Sequence, residues 1–542
     1  MRNRSSHAIA VCCIAVFSLV ASVVRVQADE RPNVIVFLAD DLGFSDIGCY
    51  GGEIETPVLD SLAAGGLRYT QFYNTARCWP TRAAILTGYY PQQIGRDALP
   101  GVPGGNRFGR PDWAELVPKK LKPLGYRSYI SGKWHIDGKP LTNGFDRSFT
   151  MDDHNRFFNP QNMTEDDKRL PPIPKGTDYY ATTGIADHAI KVLKEHEASH
   201  SDKPFFHYVA FICPHFPLHA PAKEIAKYKG RFDNGWDVSR QQRFQRMKDM
   251  GIVRGELSKL EPEIGPPYTK WSNPAKAQLG EKEVVLEKSW NELSKTQQAF
   301  QATKMEIHAA MVDKMDQEIG RVIEQVKAMG EFENTLILFL SDNGASAEIM
   351  IRGDGHNDNA APGSAESYLC LGPGWSSAAN TPFRRHKTWV HEGGAATPLI
   401  AHWPKGIAAR GELRQRVGHV VDIPHTIVDL AGGKWSNEFQ GKPIPESPGA
   451  SIAPSFSEDV NPERSLWWLH EGNRAIRKGN YKLVAAKDES WQLYDMTEDR
   501  AESNDLRVKM PAKARELQDE WQAITDQYEQ LAKERLQKKN GK

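Results

Sequence analysis

The stretch Cys78-Trp79-Pro80-Thr81-Arg82-Ala83-Ala84-Ile85-Leu86-Thr87-Gly88 sets a thiol in a polar, Arg-flanked segment with a helical pattern behind it. A free cysteine is most often a small buried apolar residue. A nucleophile at a helix N-terminus with a cation one turn later suits an anionic substrate. Two further groups carry chemistry. Asp40-Asp41 and Asp342-Asn343 together offer three carboxylates and an amide oxygen, a hard-oxygen shell that suits calcium better than zinc. Ser131-Gly132-Lys133-Trp134-His135 places a cation and a titratable base two residues apart; on an extended segment both point the same way.

These groups need elements that bring them together. Asn33-Val-Ile-Val-Phe-Leu38 and Thr335-Leu-Ile-Leu-Phe-Leu340 are continuous apolar runs of strand length, as expected of strands buried on both faces of a parallel sheet. Phe205–Phe211 and Pro398–His402 read the same way. Met311, Met315, Ile319, Val322, Ile323 and Val326 keep helical spacing, and Gly330 can end that helix. The alternation predicts an α/β fold with a large mixed, mostly parallel sheet flanked by helices. Polar residues just after such strands gather in the crevice at the carboxyl edge of the sheet, so Asp40, Asp41, Asp342, Asn343, His215 and the residues after Ile130 are expected to converge. Residues 222–300 are charged and carry Trp236, Trp271 and Trp290, and they predict irregular helices over the core, at the mouth of the site. From about residue 441 a proline-rich connector leads into short strands (Ser465–His470, Tyr481–Ala485, Gln492–Tyr494) and a charged terminal helix from about Met510 to Lys533, a smaller α+β subdomain. The expected division is residues 1–28, 29–440 and 441–542.

Cys-x-Pro-x-Arg followed by Ala-Ala-Ile-Leu-Thr-Gly resembles the signature of the type I sulfatases of the alkaline phosphatase superfamily. The likeness runs from Arg31-Pro-Asn-Val to Trp491-Gln-Leu-Tyr-Asp495 and includes Gly51-Gly-Glu-Ile-Glu-Thr-Pro57 and Pro214-His215-Phe-Pro-Leu-His219-Ala-Pro221. It implies an alkaline phosphatase-like fold. It also implies a nucleophile made by oxidising Cys78 to formylglycine (3-oxoalanine), through a maturation enzyme that reads this segment. Asp40, Asp41, Asp342 and Asn343 would bind Ca²⁺ together with position 78. The Gly-Lys-Trp-His match gives Lys133 a sulfate oxygen and makes His135 the base that releases sulfate; Ile136-Asp137 stands where Leu-Gly is usual. His215 and Lys387, the latter placed by its spacing to Glu392-Gly393-Gly394, would face the ester oxygen, and Arg82 would add positive charge. The implied activity is hydrolysis of aryl or carbohydrate sulfates. Two other readings differ from it: a formylglycine-dependent phosphate or phosphonate ester hydrolase, and a secreted, non-catalytic carbohydrate-binding relative.

Composition narrows the partners. The 542 residues carry 69 Lys+Arg and 69 Asp+Glu, so no global charge points to nucleic acid. Arg2 and Arg4, an apolar run over Ala8–Val24 and Val26-Gln27-Ala28 form an export signal, after whose cleavage no membrane span is expected; the protein is placed in the periplasm or outside the cell. Cys49, Cys78, Cys213 and Cys370 remain, too few for a disulfide scaffold.

Overall fold

A computed structural model of the protein describes residues 31–97 and 109–540; the export-signal reading therefore lies outside the described residues. Its centre is an 11-stranded sheet. Seven strands matter for the site: β1 (Asn33–Ala39), β2 (Leu67–Tyr73), β3 (Arg127–Gly132), β4 (Arg147–Met151), β5 (Phe205–Ala210), β6 (Thr335–Ser341) and β7 (Ala396–His402). They lie in the order β2-β7-β6-β1-β5-β3-β4. β1 pairs in parallel with β6 and β5, and β3 in parallel with β5 and β4. β7 runs antiparallel to both its neighbours, which makes the sheet mixed. Short edge strands complete it beside β2 and β4.

The continuous apolar runs are the strands at the middle. Every residue of β1 and β6 is buried, because helices cover both faces. The largest of these helices, Lys295–Ala328, buries Met311, Met315, Ile319, Val322, Ile323 and Val326. A capping box between Ser294 and Gln297 starts it, and Gly330, at φ +76°, follows its end. Residues 222–300 contain the expected helices: Ala222–Tyr228, Gly235–Asp249 and Thr269–Leu279.

The C-terminal portion is a four-stranded antiparallel sheet (Ser465–His470, Asn473–Lys478, Tyr481–Ala485, Gln492–Asp495) followed by the helix Pro511–Asn540. It does not stand apart: Trp467, Ile476, Leu483 and Trp521 share one apolar core with Val34, Leu338 and Leu399 of the main sheet. Cys49, Cys78, Cys213 and Cys370 are buried free thiols. Among the described residues no helix is long and apolar enough to cross a membrane.

Candidate active site

The parallel strands deliver their next residues to one place. β1 runs into Asp40 and Asp41, β6 into Asp342 and Asn343, β3 into Lys133, and the segment after β5 carries His215. The helix Cys78–Thr87 starts against this cluster; all its residues are buried, and Gly88, at φ +76°, closes it. Every residue singled out in the sequence arrives. Lys133 Nζ donates to Asp40 Oδ2 at 2.6 Å, Arg82 Nε to Asp342 Oδ2 at 2.8 Å, and Lys387 Nζ to Asp41 Oδ2 at 2.8 Å. Asn343 Nδ2 donates to Asp41 Oδ1 at 2.7 Å, and His215 Nε2 lies 3.8 Å from Asp41 Oδ2. Lys133, Lys387 and Asp342 are all within electrostatic reach of the Cys78 thiol, and its burial pushes the thiol up.

Lys133 and His135 do meet at the site, but not by strand alternation. β3 ends at Gly132, and the chain turns there, with φ +114° at Gly132 and +50° at His135. The ring of His135 packs edge-on to Trp79, with centroids 5.1 Å apart. Burial, reinforced by Lys133, drives the His135 imidazole well below its usual range, so it is neutral. Burial and Lys387 do the same to His215. Asp41 (φ +68°), Ala76 (+61°) and Thr388 (+87°) also lie in the left-handed region around the cluster. For a β-branched residue such as Thr388 this is strained, and it is held in place: Thr388 N donates to Ala76 O at 2.8 Å and Thr388 Oγ1 accepts from Arg77 Nη1 at 2.8 Å.

Three residues were not picked out from the sequence. Glu348 accepts from Lys387 Nζ at 3.0 Å and pairs with Arg77 at 3.3 Å. Burial opposes its charge, but Arg77 and Lys387 outweigh it and hold the carboxyl far below the ordinary range. Arg77 is the residue before Cys78, and that adjacency was the one signal available for it. His154 follows β4 with no motif around it, yet its ring sits 5.0 Å from that of His215 and 6.1 Å from that of His135.

The donor set fits a hard cation. Asp40 Oδ1 and Asn343 Oδ1 are buried without a hydrogen-bond partner among the described residues, which is costly unless something else satisfies them. Burial and the neighbouring Asp40 raise Asp342 to about 7, the mark of crowded carboxylates. Ligand atoms of Asp40, Asp41 and His215 come within 4.8 Å of one another.

The site's backing reaches into the C-terminal sheet. Glu392, just past the Lys387 loop, is buried and bound by Tyr73 Oη at 3.0 Å, Lys482 Nζ at 2.9 Å and Arg500 Nη2 at 2.8 Å. Lys482 also bridges to Glu502 at 2.9 Å, and Asn473 Nδ2 donates to Thr388 O at 3.2 Å.

A cluster of buried acids and cations at the carboxyl edge of a mixed, mostly parallel sheet, with a small antiparallel subdomain behind it, defines an alkaline phosphatase-superfamily hydrolase of anionic esters. The chain belongs to the sulfatase family within it, and it is a sulfuric ester hydrolase: the model of the family Sulfatase matches residues 32–433. That of N-sulphoglucosamine sulphohydrolase, C-terminal, matches residues 384–530. An uncharacterised sulfatase of Schizosaccharomyces pombe is 31% identical, over 91% of this chain and 93% of its own. An arylsulfatase of Klebsiella aerogenes is 30% identical, over 81% of this chain and 95% of its own. The solved structure of Ps i-CgsB in complex with k-i-k-neocarrahexaose superposes with a TM-score of 0.64 at 23% identity, covering 91% of this chain and 92% of that one.

Proposed function

We propose that this sulfatase works through formylglycine made from Cys78, with Ca²⁺ held by Asp40, Asp41, Asp342 and Asn343, on aryl or carbohydrate sulfates. The observation that carries this reading is the convergence of Cys78, at a helix N-terminus, with that oxygen set and with Arg82, Lys133 and Lys387 in one buried cluster. A hydrated aldehyde at position 78 supplies an oxygen nucleophile that can later expel sulfate. Calcium supplies charge that balances the carboxylates and the sulfate oxygens.

The chain's own groups do the rest. Lys133, Arg82 and Lys387 are fixed by their carboxylate partners, so positive charge faces the anion without reorganisation, usually the largest catalytic term. Lys387, charged between Asp41 and Glu348, is the proton donor beside the departing alcohol, with His215 positioning the ester oxygen. Neutral His135 is the proton acceptor at the opposite end of the reaction. Reading residues 1–28 as an export signal places this chemistry outside the cytosol. The known relatives named for sulfated sugars, such as the N-acetylglucosamine-6-O-sulfatase of Bacteroides thetaiotaomicron, favour carbohydrate substrates.

The test is to produce the protein with a formylglycine-generating enzyme and analyse the peptide Cys78–Arg82 by mass spectrometry alongside activity on 4-nitrophenyl sulfate. Position 78 is expected as the aldehyde, Cys78→Ala as inactive, and calcium removal as lowering both activity and melting temperature by linkage. Full activity from an unmodified thiol would refute the covalent route.

A further inference from the structure

A cavity of about 680 Å³ opens between the 263–268 loop, residues 385–389 and the turn of the C-terminal sheet at Glu471-Gly472. It adjoins the cluster described above through two of its walls. Thr388 follows Lys387 and accepts from Arg77, the residue before Cys78, and Tyr268 lies under the same guanidinium at 5.4 Å. Tyr268 also packs against the apolar group containing Phe216, next to His215. The cavity therefore starts one residue beyond the groups proposed to hold the sulfate.

Its chemistry differs sharply from that of the cluster. The lining carries two cations, Arg385 and Lys487, against three carboxylates, Glu263, Glu471 and Glu489. Arg385 is already engaged, at 3.1 Å from Glu261 and 3.0 Å from Glu489. With Arg385 engaged, Lys487 is the remaining lining cation against Glu263 and Glu471, and the net surplus of one carboxylate disfavours a second sulfate or a uronate. The lining does offer two half-buried aromatic rings, Tyr268 and Trp389, each with a guanidinium over one face (Arg77 at 5.4 Å, Arg385 at 5.9 Å), and Pro266-Pro267 stiffens one wall beside Glu263. Aromatic faces beside acceptors suit the apolar faces and hydroxyl donors of a sugar ring.

We propose that this cavity is a subsite for an uncharged glycosyl unit joined to the sulfated residue, so that the preferred substrate is an oligosaccharide whose neighbouring sugar carries no sulfate or carboxylate. The proposal deepens the reading of the enzyme as a carbohydrate sulfatase and rests on it. It also makes the C-terminal subdomain part of the specificity apparatus, since Glu471, Gly472, Lys487 and Glu489 all lie in the connections between its strands.

The test uses the full, matured protein and two variants. Gly265→Trp fills the cavity: a side chain there meets no atom closer than 3.6 Å at its Cβ, and Gly265 is not at positive φ. Trp389→Leu removes one aromatic face. Saturation-transfer NMR is run with lactose, cellobiose and N-acetyllactosamine as neutral probes and with a trisulfated heparin disaccharide as the polyanionic one. The wild type is expected to show transfer to at least one neutral disaccharide, and Gly265→Trp to abolish it. In kinetics, both variants should lose roughly tenfold in kcat/KM on a sulfated disaccharide with a neutral second sugar, and less than about twofold on 4-nitrophenyl sulfate. Absence of transfer to every neutral probe overturns the proposal. So does transfer to the heparin disaccharide alone that Gly265→Trp removes, or equal loss on both substrates in the variants. A wild type inactive on every sulfate ester while neutral sugars still bind would instead sink the sulfatase mechanism and leave the subsite standing.

Discussion

Glu348 is the residue on which the electrostatics of the site turns. It is buried between Lys387 and Arg77 and is the partner that lets both remain charged away from water. Removing one member of such a group leaves cations buried without compensation, at a typical cost of about 3 kcal/mol or more. Glu348→Gln is thus expected to lower the melting temperature and to reduce kcat more than KM, because Lys387 loses its set position; thermal unfolding and steady-state kinetics on 4-nitrophenyl sulfate check it. A stable variant with unchanged kcat would remove Glu348 from the positioning of Lys387. The sequence made Asp40, Asp41, Cys78 and Asp342 readable because each stands at a strand end or inside a dense motif. Glu348 and His154 sit in loops with neither hydrophobic period nor motif, and only the folded chain brings them to the cluster. The left-handed backbone at Asp41, His135 and Thr388 was equally silent, because none of these residues advertises positive φ as a glycine does.

At the level of elements, the tryptophans of residues 222–300, together with Trp375, divide into buried and exposed ones. Three are pins. Trp236, Trp290 and Trp375 form a buried edge-to-face trio, with centroids 4.8, 5.7 and 5.8 Å apart. Gly374 and Gly235 are needed for it, since an added Cβ would come within 2.8 Å of Trp236 and 2.0 Å of Trp290 respectively. Trp271 alone is exposed, at 45%. Trp375→Ala should therefore cost about 3–5 kcal/mol in stability through an unfilled cavity, measured by denaturant unfolding, with the ratio of activities on sulfated sugar and aryl sulfate unchanged. A shifted ratio at unchanged stability would return that residue to the substrate. Periodicity could locate the central strands and the long helix, because burial on both faces or on one stripe leaves a pattern; it could not tell a buried indole from an exposed one.

Across the whole molecule, a set of buried histidines makes stability depend on pH. Burial depresses His188, His196 and His219 to about 4 each. His188 and His196 are tied to Ser131 and Tyr129 of β3, at 2.8 Å in both cases. An unfolded histidine titrates near 6.5, so between about pH 6.5 and 4 the unfolded chain binds more protons than the folded one, and stability falls as the pH drops through that window. The melting temperature should decline steadily over this range, and His188→Gln should make the decline shallower. The raised carboxyls of Asp342 and Asp316 work in the opposite sense, so the deciding readout is the difference between wild type and His188→Gln: identical slopes would mean that His188 is not neutral in the folded state.

The buried ties around Glu392 give the molecule an order in time. Glu392 and the strained Thr388 depend on Lys482, Arg500 and Asn473, which the ribosome makes 85 to 108 residues later. Without those late residues Glu392 loses Lys482 and Arg500, and the Thr388 carbonyl loses Asn473. The cluster around Cys78 draws on residues from Asp40 to Lys387 while its backing comes from beyond residue 470, so a chain truncated before Asn473 lacks these partners of Glu392 and Thr388 and is expected to have no sulfatase activity.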